Sequence, residues 1–198
     1  MNQKTNIGIY VYNQAEVLDF SGPFEVFSTA SRVCDNGEPF EVFLIGQIGE
    51  TVVARAGYRV IPDYGFHNHP EIDLLIVVGG MHTDEMNKTE VIEWIASQSK
   101  KAKMVASVCT GVFLLAKAGV VENEKVTTHW EDIPDLKNSF PKLDVQEGLR
   151  WVDEGNLITS GGISAGIDMS LHLVSKLHSL ALAEKTARKM EFSWTKNS

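Results

Sequence analysis

Cysteine is scarce in this chain, which has only Cys34 and Cys109 among its 198 residues. Two cysteines do not build the disulfide framework of a small secreted protein, so we expect a reducing, cytoplasmic location and at least one free thiol. The sequence also lacks the CxxC and HExxH spacings that are typical of zinc sites. We therefore expect no metal centre.

Long apolar runs and clusters of basic residues are also missing. The longest apolar stretches, residues 74–78 and 112–116, are much shorter than the roughly 20 residues that a membrane helix needs. No cationic segment followed by an apolar core begins the chain, so we expect no export signal. The 18 basic and 26 acidic side chains give a net charge of −8, which repels phosphate backbones. We expect neither membrane insertion nor nucleic-acid binding.

The sequence does contain short apolar segments that alternate with amphipathic segments of helical length. This alternation predicts βαβ units and a parallel sheet that is covered on both faces. The predicted strands are residues 7–12, 40–45, 73–78, 104–108, 125–128 and 157–159, with residues 149–152 as a hairpin partner of the last. Residues 51–54 and 58–61 are predicted to form a second, small hairpin.

Four predicted helices connect these strands. Ser21 is expected to cap the first helix, and the apolar spacing predicts three more over residues 89–99, 111–118 and 163–180. The chain has no internal repeat and no linker rich in Pro, Gly or Ser. We therefore expect one α/β domain over residues 1–198.

Cys109 occupies the most informative position. Residues 106–113 (ASVCTGVF) change from an apolar strand into a helix at this cysteine, as in the nucleophile elbow of hydrolases, and Gly111 permits the tight turn. N–H groups at the start of a helix favour a thiolate over a thiol. We predict that Cys109 is reactive and has a lowered pKa, unless a nearby carboxylate offsets that effect. Cys34 lies in a polar loop and has no such context.

Two other loops are predicted to lie at the same edge of the sheet. Gly79 and Gly80 follow a buried strand, and their N–H groups either form an ordinary turn or stabilise an oxyanion beside Cys109. Asp19 lies between two apolar residues after the first strand. It is either a solvated or capping carboxylate, or it exchanges protons with the reacting centre and has a pKa raised by burial and like charge.

Three further residues have two interpretations each. His129 follows a strand and either orients the site or is a hydrogen-bonded core histidine. Phe20 and Trp130 either wall the pocket or belong to the core.

The motifs LDFSGP, VVGG, ASVCTG, TTHW and DEGNLITSGGISAGID together resemble the ThiJ/PfpI superfamily of class I glutamine amidotransferase-like proteins. The resemblance covers nearly the whole chain and is strongest to the isonitrile hydratases and to the amidase-like domains of AraC-type regulators. It implies a flavodoxin-like three-layer sandwich with a mostly parallel central sheet and a nucleophile elbow. It also implies a homodimer, and the semi-apolar residues 192–194, which we expect a monomer to leave exposed to water, favour the same conclusion.

The resemblance also implies roles for the residues of the site. Cys109 would be the nucleophile and Asp19 its acidic partner, while Thr110 and the backbone at Gly80 would hold the polar end of a small-molecule substrate. The leading expectation is a hydro-lyase that needs no cofactor and converts an isocyanide to an N-substituted formamide. Peptidase activity is not expected, because Thr110 stands where the protease-like relatives commonly have histidine.

Two alternatives stay open. In the first, the protein is a stress protein without catalytic activity, in which Cys109 senses a ligand or is oxidised. In the second, the protein has another amidase-like or glyoxalase-like activity. No helix-turn-helix segment is recognised before Ser198. We therefore do not expect an AraC-type DNA-binding regulator.

Overall fold

The computed structural model describes residues 4–196. Within that range the strands are β1 (Thr5–Tyr10), β2 (Phe40–Ile45), β3 (Val52–Val53), β4 (Arg59–Val60), β5 (Leu74–Val77), β6 (Met104–Val108), β7 (Lys125–Val126), β8 (Asp144–Val145), β9 (Trp151–Asp153) and β10 (Leu157–Ser160). The α-helices are α1 (Val17–Val33), α2 (Thr83–Met86), α3 (Thr89–Lys101), α4 (Gly111–Lys117), α5 (Ile133–Ser139), α6 (Ala165–Leu177) and α7 (Leu180–Lys189).

Six strands form the central sheet in the order β2-β1-β5-β6-β10-β9. Neighbouring strands are parallel, except that β9 runs antiparallel to β10. Every residue of β5 and β6 is buried, as expected of central parallel strands that are covered on both faces. The prediction of a mostly parallel sheet is confirmed.

The helices form two groups that flank the sheet. Helices α1, α6 and α7 pack against one another, and helices α2, α3 and α4 form the second group. Helix α1 contacts β1 and β2, α6 contacts β9 and β10, and α4 contacts β5 and β6. The fold is therefore the expected α/β, flavodoxin-like arrangement of helix, sheet and helix layers.

The strand order places a crevice beside β1. The chain passes from β1 through α1 to β2 on one side of β1, and later returns to β5 on the other side. Ligands of open α/β sheets bind at the carboxyl ends of the strands at such a reversal. The loops that follow β1, β5, β6 and β10 meet at this edge.

Most predicted strand and helix bounds agree with the structure to within one or two residues, and β2 and β6 agree at both ends. The prediction for Ser21 is wrong, because α1 already begins at Val17 and the Ser21 hydroxyl donates to the Val17 carbonyl oxygen at 2.8 Å. The predicted helix over residues 163–180 corresponds to α6, which is shorter by two residues at its start and three at its end. Sequence reasoning missed α7, which begins at Leu180 and is capped by the Ser179 side chain accepting from the Leu182 N–H at 3.2 Å.

The end of the described chain packs against the body of the protein. Phe192 and Trp194 are partly buried, and the Trp194 indole N–H donates to the Asp168 carbonyl oxygen at 3.1 Å. The expectation that residues 192–194 form an exposed apolar patch is therefore wrong. Between residues 4 and 196, no helix combines the length and apolar character needed to cross a membrane.

Candidate active site

Cys109 lies on a strained turn between β6 and α4. Its φ of 56° falls in the left-handed region, which a residue with a side chain rarely occupies. Three hydrogen bonds hold the turn: the Cys109 N–H reaches the carbonyl oxygens of Ser160 and Gly161, both at 3.2 Å, and its carbonyl oxygen accepts from the Thr128 hydroxyl at 2.9 Å. The elbow expected from the sequence is present.

Glycines make the close packing around this turn possible. A Cβ atom on Gly111 would lie 2.1 Å from the Val77 carbonyl oxygen, and one on Gly79 would lie 2.5 Å from the Thr110 nitrogen and 2.7 Å from Cys109 Cβ. Real Cβ atoms do not approach other atoms so closely, because van der Waals repulsion prevents it. The end of β5 therefore packs directly against the start of α4, which brings Gly79 beside Cys109.

Asp19 lies in the first turn of α1 and is fully buried. Its carboxylate accepts the N–H of Gly79 at 3.0 Å and the N–H of Ile163 at 3.1 Å, and the Cys109 side chain lies close enough to act on its pKa. Burial raises the pKa of Asp19 to about 7, although these hydrogen bonds oppose the shift. The carboxyl group can therefore gain or lose a proton near neutral pH.

Cys109 is buried, with 7% of the residue exposed. Burial raises its pKa well above the usual value, the neighbouring Asp19 raises it further, and the Thr110 N–H only partly opposes these effects. The expectation of a lowered thiol pKa is therefore wrong: one N–H at the start of α4 does not outweigh the loss of solvation. The thiol holds its proton at neutral pH, and Asp19 is the adjacent group that can accept it.

Thr110 and Gly80 are joined by two hydrogen bonds. The Gly80 N–H donates to the Thr110 hydroxyl oxygen at 3.0 Å, and the Thr110 hydroxyl donates to the Gly80 carbonyl oxygen at 3.0 Å. The Gly79 N–H likewise donates to the Asp19 carboxylate. Both glycine N–H groups that the sequence suggested for an oxyanion hole thus already have acceptors. The Thr110 N–H, which is directed at the Cys109 sulfur, is better placed for that role.

His129 belongs to the same site. A Cβ atom on Gly162 would lie 2.2 Å from His129 Cδ2 and 3.3 Å from Cys109 Sγ, so only glycine fits between the imidazole and the thiol. The Nδ1 atom of His129 lies 3.4 Å from the Asp132 carboxylate. The structure therefore places His129 beside the cysteine, with its ring oriented by an acidic side chain.

A cavity of about 400 Å³ opens onto Cys109. It is lined by Glu16, Arg55, Gly80, Met81, His82, Thr83, Cys109, Thr110, His129, Glu131, Asp132 and Ile163. Arg55 lies at its rim, with Nε 3.6 Å from the Glu16 carboxylate, and burial lowers the pKa of His82. The cavity thus combines a cysteine with charged groups of both signs.

The two aromatic candidates do not line this cavity. Phe20 is 3% exposed and its ring packs against Tyr58 at a centroid distance of 6.3 Å. Trp130 is 73% exposed and lies beside the ring of His129 at 5.8 Å. Phe20 is therefore a core residue, and Trp130 is a surface residue at the edge of the site.

Sequence reasoning missed Gly162, Ile163, Asp132 and Arg55. The pair Gly161-Gly162 follows β10 just as Gly79-Gly80 follows β5, so the same argument could have placed it at the site. Arg55 comes from the small hairpin, and no local pattern marks it. Within residues 4–196, no group of three or more His, Cys, Asp or Glu side chains is arranged to hold a metal ion.

The fold and the site together define a class: α/β proteins with a buried cysteine at a strand-to-helix elbow and an acidic partner from the first strand–helix connection. The family follows from comparison with known proteins. The DJ-1/PfpI family model matches residues 5–176, and the chain belongs to that family.

Individual relatives differ in what they do. The chain is 31% identical over 188 residues to an isonitrile hydratase of Pseudomonas putida, covering 94% of this chain and 78% of the relative. It is 26% identical over 178 residues to the HTH-type transcriptional regulator GbdR of Pseudomonas aeruginosa, covering 90% of this chain and 48% of the regulator. It therefore spans about half the length of that regulator. A solved structure of a ThiJ/PfpI family protein from Pseudomonas syringae superposes with a TM-score of 0.86 at 25% identity, covering 99% of this chain and 78% of that one.

Proposed function

We propose that the protein is a cysteine-dependent hydro-lyase that converts small isocyanides to N-substituted formamides. The observation that carries this proposal is the buried pair of Cys109 and Asp19, in which the acid has a pKa of about 7 and lies beside the thiol. The similarity to the isonitrile hydratase of Pseudomonas putida supports the substrate class. The reaction needs no redox step and no organic cofactor.

The first step forms a covalent adduct. The terminal carbon of an isocyanide, R–NC, is electrophilic and suits attack by a soft sulfur nucleophile. Asp19, as the carboxylate, accepts the Cys109 proton while the new C–S bond forms. It then delivers that proton to the same carbon. The product is a thioformimidate, R–N=CH–S–Cys109, and Asp19 is again a carboxylate.

The second step hydrates the adduct. Water adds its oxygen to the imidate carbon, and Asp19 accepts one water proton and passes it to the nitrogen. The C–S bond then breaks as the C=O bond forms, the remaining hydroxyl proton passes to the sulfur through Asp19, and the formamide R–NH–CHO leaves. Overall, one water is consumed and Cys109 and Asp19 return to their starting states. Thr110 contributes its N–H at the sulfur and its hydroxyl at the polar end of the adduct.

Turnover of a panel of alkyl and aryl isocyanides, followed by NMR detection of the formamide, tests the proposal. Wild type and Cys34→Ser are expected to turn over many equivalents, and Cys109→Ser none. Cys34 is a matched control because it lies outside the residues that line the cavity. If wild type turns over no member of a broad panel, the proposed activity is wrong.

A binding or sensing role is the second candidate. Two observations favour it: burial keeps the Cys109 thiol protonated, and the chain matches about half of a transcriptional regulator. A sensor would bind a ligand or be oxidised at Cys109 once, without repeated turnover. The ratio of product to protein separates the two functions.

We also propose that the protein is a homodimer, on the basis of the family resemblance. Light scattering at micromolar concentration is expected to give the mass of two chains. The mass of a single chain would contradict the proposal.

A further inference from the structure

Tyr12 is a buried phenol to which the proposed reaction assigns no role. It follows β1, is 3% exposed, and stacks on Tyr10 with the ring centroids 5.8 Å apart. Its hydroxyl oxygen is buried and has no hydrogen-bond partner of normal geometry among residues 4–196. Leaving such a group unsatisfied opposes folding, whereas phenylalanine would fill the same space without that penalty.

The neighbouring tyrosine is different. The Tyr10 hydroxyl donates to the buried carboxylate of Glu85, and Lys88 donates to the same carboxylate at 2.7 Å. Tyr10 therefore has a structural partner that fixes the short helix α2. Tyr12 has no such partner, so its hydroxyl is not explained by a structural hydrogen bond.

The surroundings of the Tyr12 hydroxyl belong to the active site. Burial and the charges of Glu85, Asp19 and Cys109 raise its pKa, so the phenol stays a hydrogen-bond donor throughout the working pH range. Side-chain hydrogen bonding by Thr110 partly opposes this rise, although the two hydroxyls are not in normal hydrogen-bond geometry. The Tyr12 carbonyl oxygen accepts the Ala15 N–H at 3.0 Å and Ala15 pairs with Gly80, so the segment that carries Tyr12 runs beside the Gly80–Thr110 contact, although Tyr12 itself does not line the cavity.

Thr110 has room for one more donor. A hydroxyl offers one proton and two lone pairs. At Thr110 the proton goes to the Gly80 carbonyl oxygen, and one lone pair accepts the Gly80 N–H. The second lone pair is available to Tyr12. A donor at that position would polarise the Thr110 hydroxyl and make it a stronger donor itself.

We propose that Tyr12 is a positioning residue of the active site: when the Thr110 proton turns from the Gly80 carbonyl oxygen toward the substrate, the Tyr12 hydroxyl closes onto Thr110 Oγ1, donates to it and holds Thr110 in place. This inference rests on the proposed function for its catalytic readout. Tyr12 does not line the cavity, so it acts through Thr110 and does not contact the substrate.

Four proteins test this inference: wild type, Tyr12→Phe, Thr110→Val and the double variant. Tyr12→Phe is expected to lower kcat for an isocyanide by roughly 3–10-fold, as for the loss of one hydrogen bond, with KM unchanged. It should also slow iodoacetamide labelling of Cys109, and its melting temperature should not fall. In the Thr110→Val background, Tyr12→Phe should have no further effect on kcat or labelling.

Tyr64→Phe is the matched control, because Tyr64 packs against Phe43 with the ring centroids 5.3 Å apart and does not line the cavity. It should leave both rates unchanged. The inference is overturned if Tyr12→Phe leaves both rates unchanged, or if its effects multiply with those of Thr110→Val. If wild type turns over no isocyanide, the proposed function fails, and the labelling rates of the four proteins alone decide whether Tyr12 acts through Thr110.

Discussion

The backbone N–H of Ile163 donates to Asp19 Oδ1 at 3.1 Å, although the two residues are 144 positions apart in the chain. Ile163 is β-branched and has a φ of 56°, which is strongly disfavoured for such a residue. The strained conformation points its N–H at the carboxylate. Together with the Gly79 N–H on the other oxygen, it orients Asp19 beside Cys109.

Asp19→Asn is expected to lower turnover by about 10²–10⁴-fold, because it removes a general acid–base group. In wild type, kcat/KM should rise as the pH rises through about 7, since Asp19 must be a carboxylate to accept the thiol proton. The pH–rate profile of Asp19→Asn should lack this rise. If kcat/KM of Asp19→Asn still rose with pH as in wild type, the rise would belong to a titrating group other than Asp19.

The same carboxyl group should make stability depend on pH. The pKa of Asp19 is raised from 3.8 to about 7 on folding, so the native state binds more protons than the unfolded state between these values. The stability that Asp19 contributes is therefore fully present below pH 3.8 and is lost as the pH rises through about 7. Denaturant unfolding at several pH values is expected to show this loss in wild type and not in Asp19→Asn. Equal pH dependence in both proteins would contradict the raised pKa.

Thiol labelling should separate the two roles of Asp19. Its negative charge is one cause of the raised Cys109 pKa, so Asp19→Asn should label faster with iodoacetamide at pH 8, although its turnover is lower. Peptide mass spectrometry distinguishes Cys109 from Cys34, which serves as the internal reference. Slower Cys109 labelling in Asp19→Asn would contradict this prediction, because it would mean that Asp19 makes the thiol more reactive in the absence of substrate.

Gly162→Ala is expected to impair the site, whereas Gly161→Ala is expected to be tolerated. A Cβ atom on Gly162 would meet His129 Cδ2 at 2.2 Å, while the nearest atom to one on Gly161 lies at 3.5 Å. Overpacking of this kind destabilises by about 1–3 kcal/mol, and displacement of His129 should also reduce kcat. Thermal melts and turnover of both variants test this, and equal behaviour would contradict the packing described here.

Local sequence patterns predict the central strands well, because β5 and β6 are buried along their whole length and their apolar runs have no other explanation. The same patterns do not predict which backbone group a serine side chain binds. Ser21 and Ser179 both bond to the backbone, but one does so inside a helix and the other as its cap. Sequence alone does not distinguish these cases, because each depends on where the helix packs.

The site was predictable only in part, for a related reason. Cys109, Asp19 and Gly80 each follow a strand that the sequence marks clearly, so their common edge could be expected. The pKa of the Cys109 thiol could not be predicted, since it depends on how deeply the completed fold buries the sulfur. The contact between Gly162 and His129 likewise joins two loops that are distant in sequence.

The most direct test of the proposed mechanism is mass spectrometry of wild type, Cys109→Ser and Asp19→Asn during reaction with one isocyanide, with the formamide measured in parallel. The mechanism predicts an adduct on Cys109 that increases the mass of wild type by one whole isocyanide, together with repeated turnover. It predicts no adduct and no turnover in Cys109→Ser, and slow turnover in Asp19→Asn. Undiminished turnover by Cys109→Ser would contradict the mechanism.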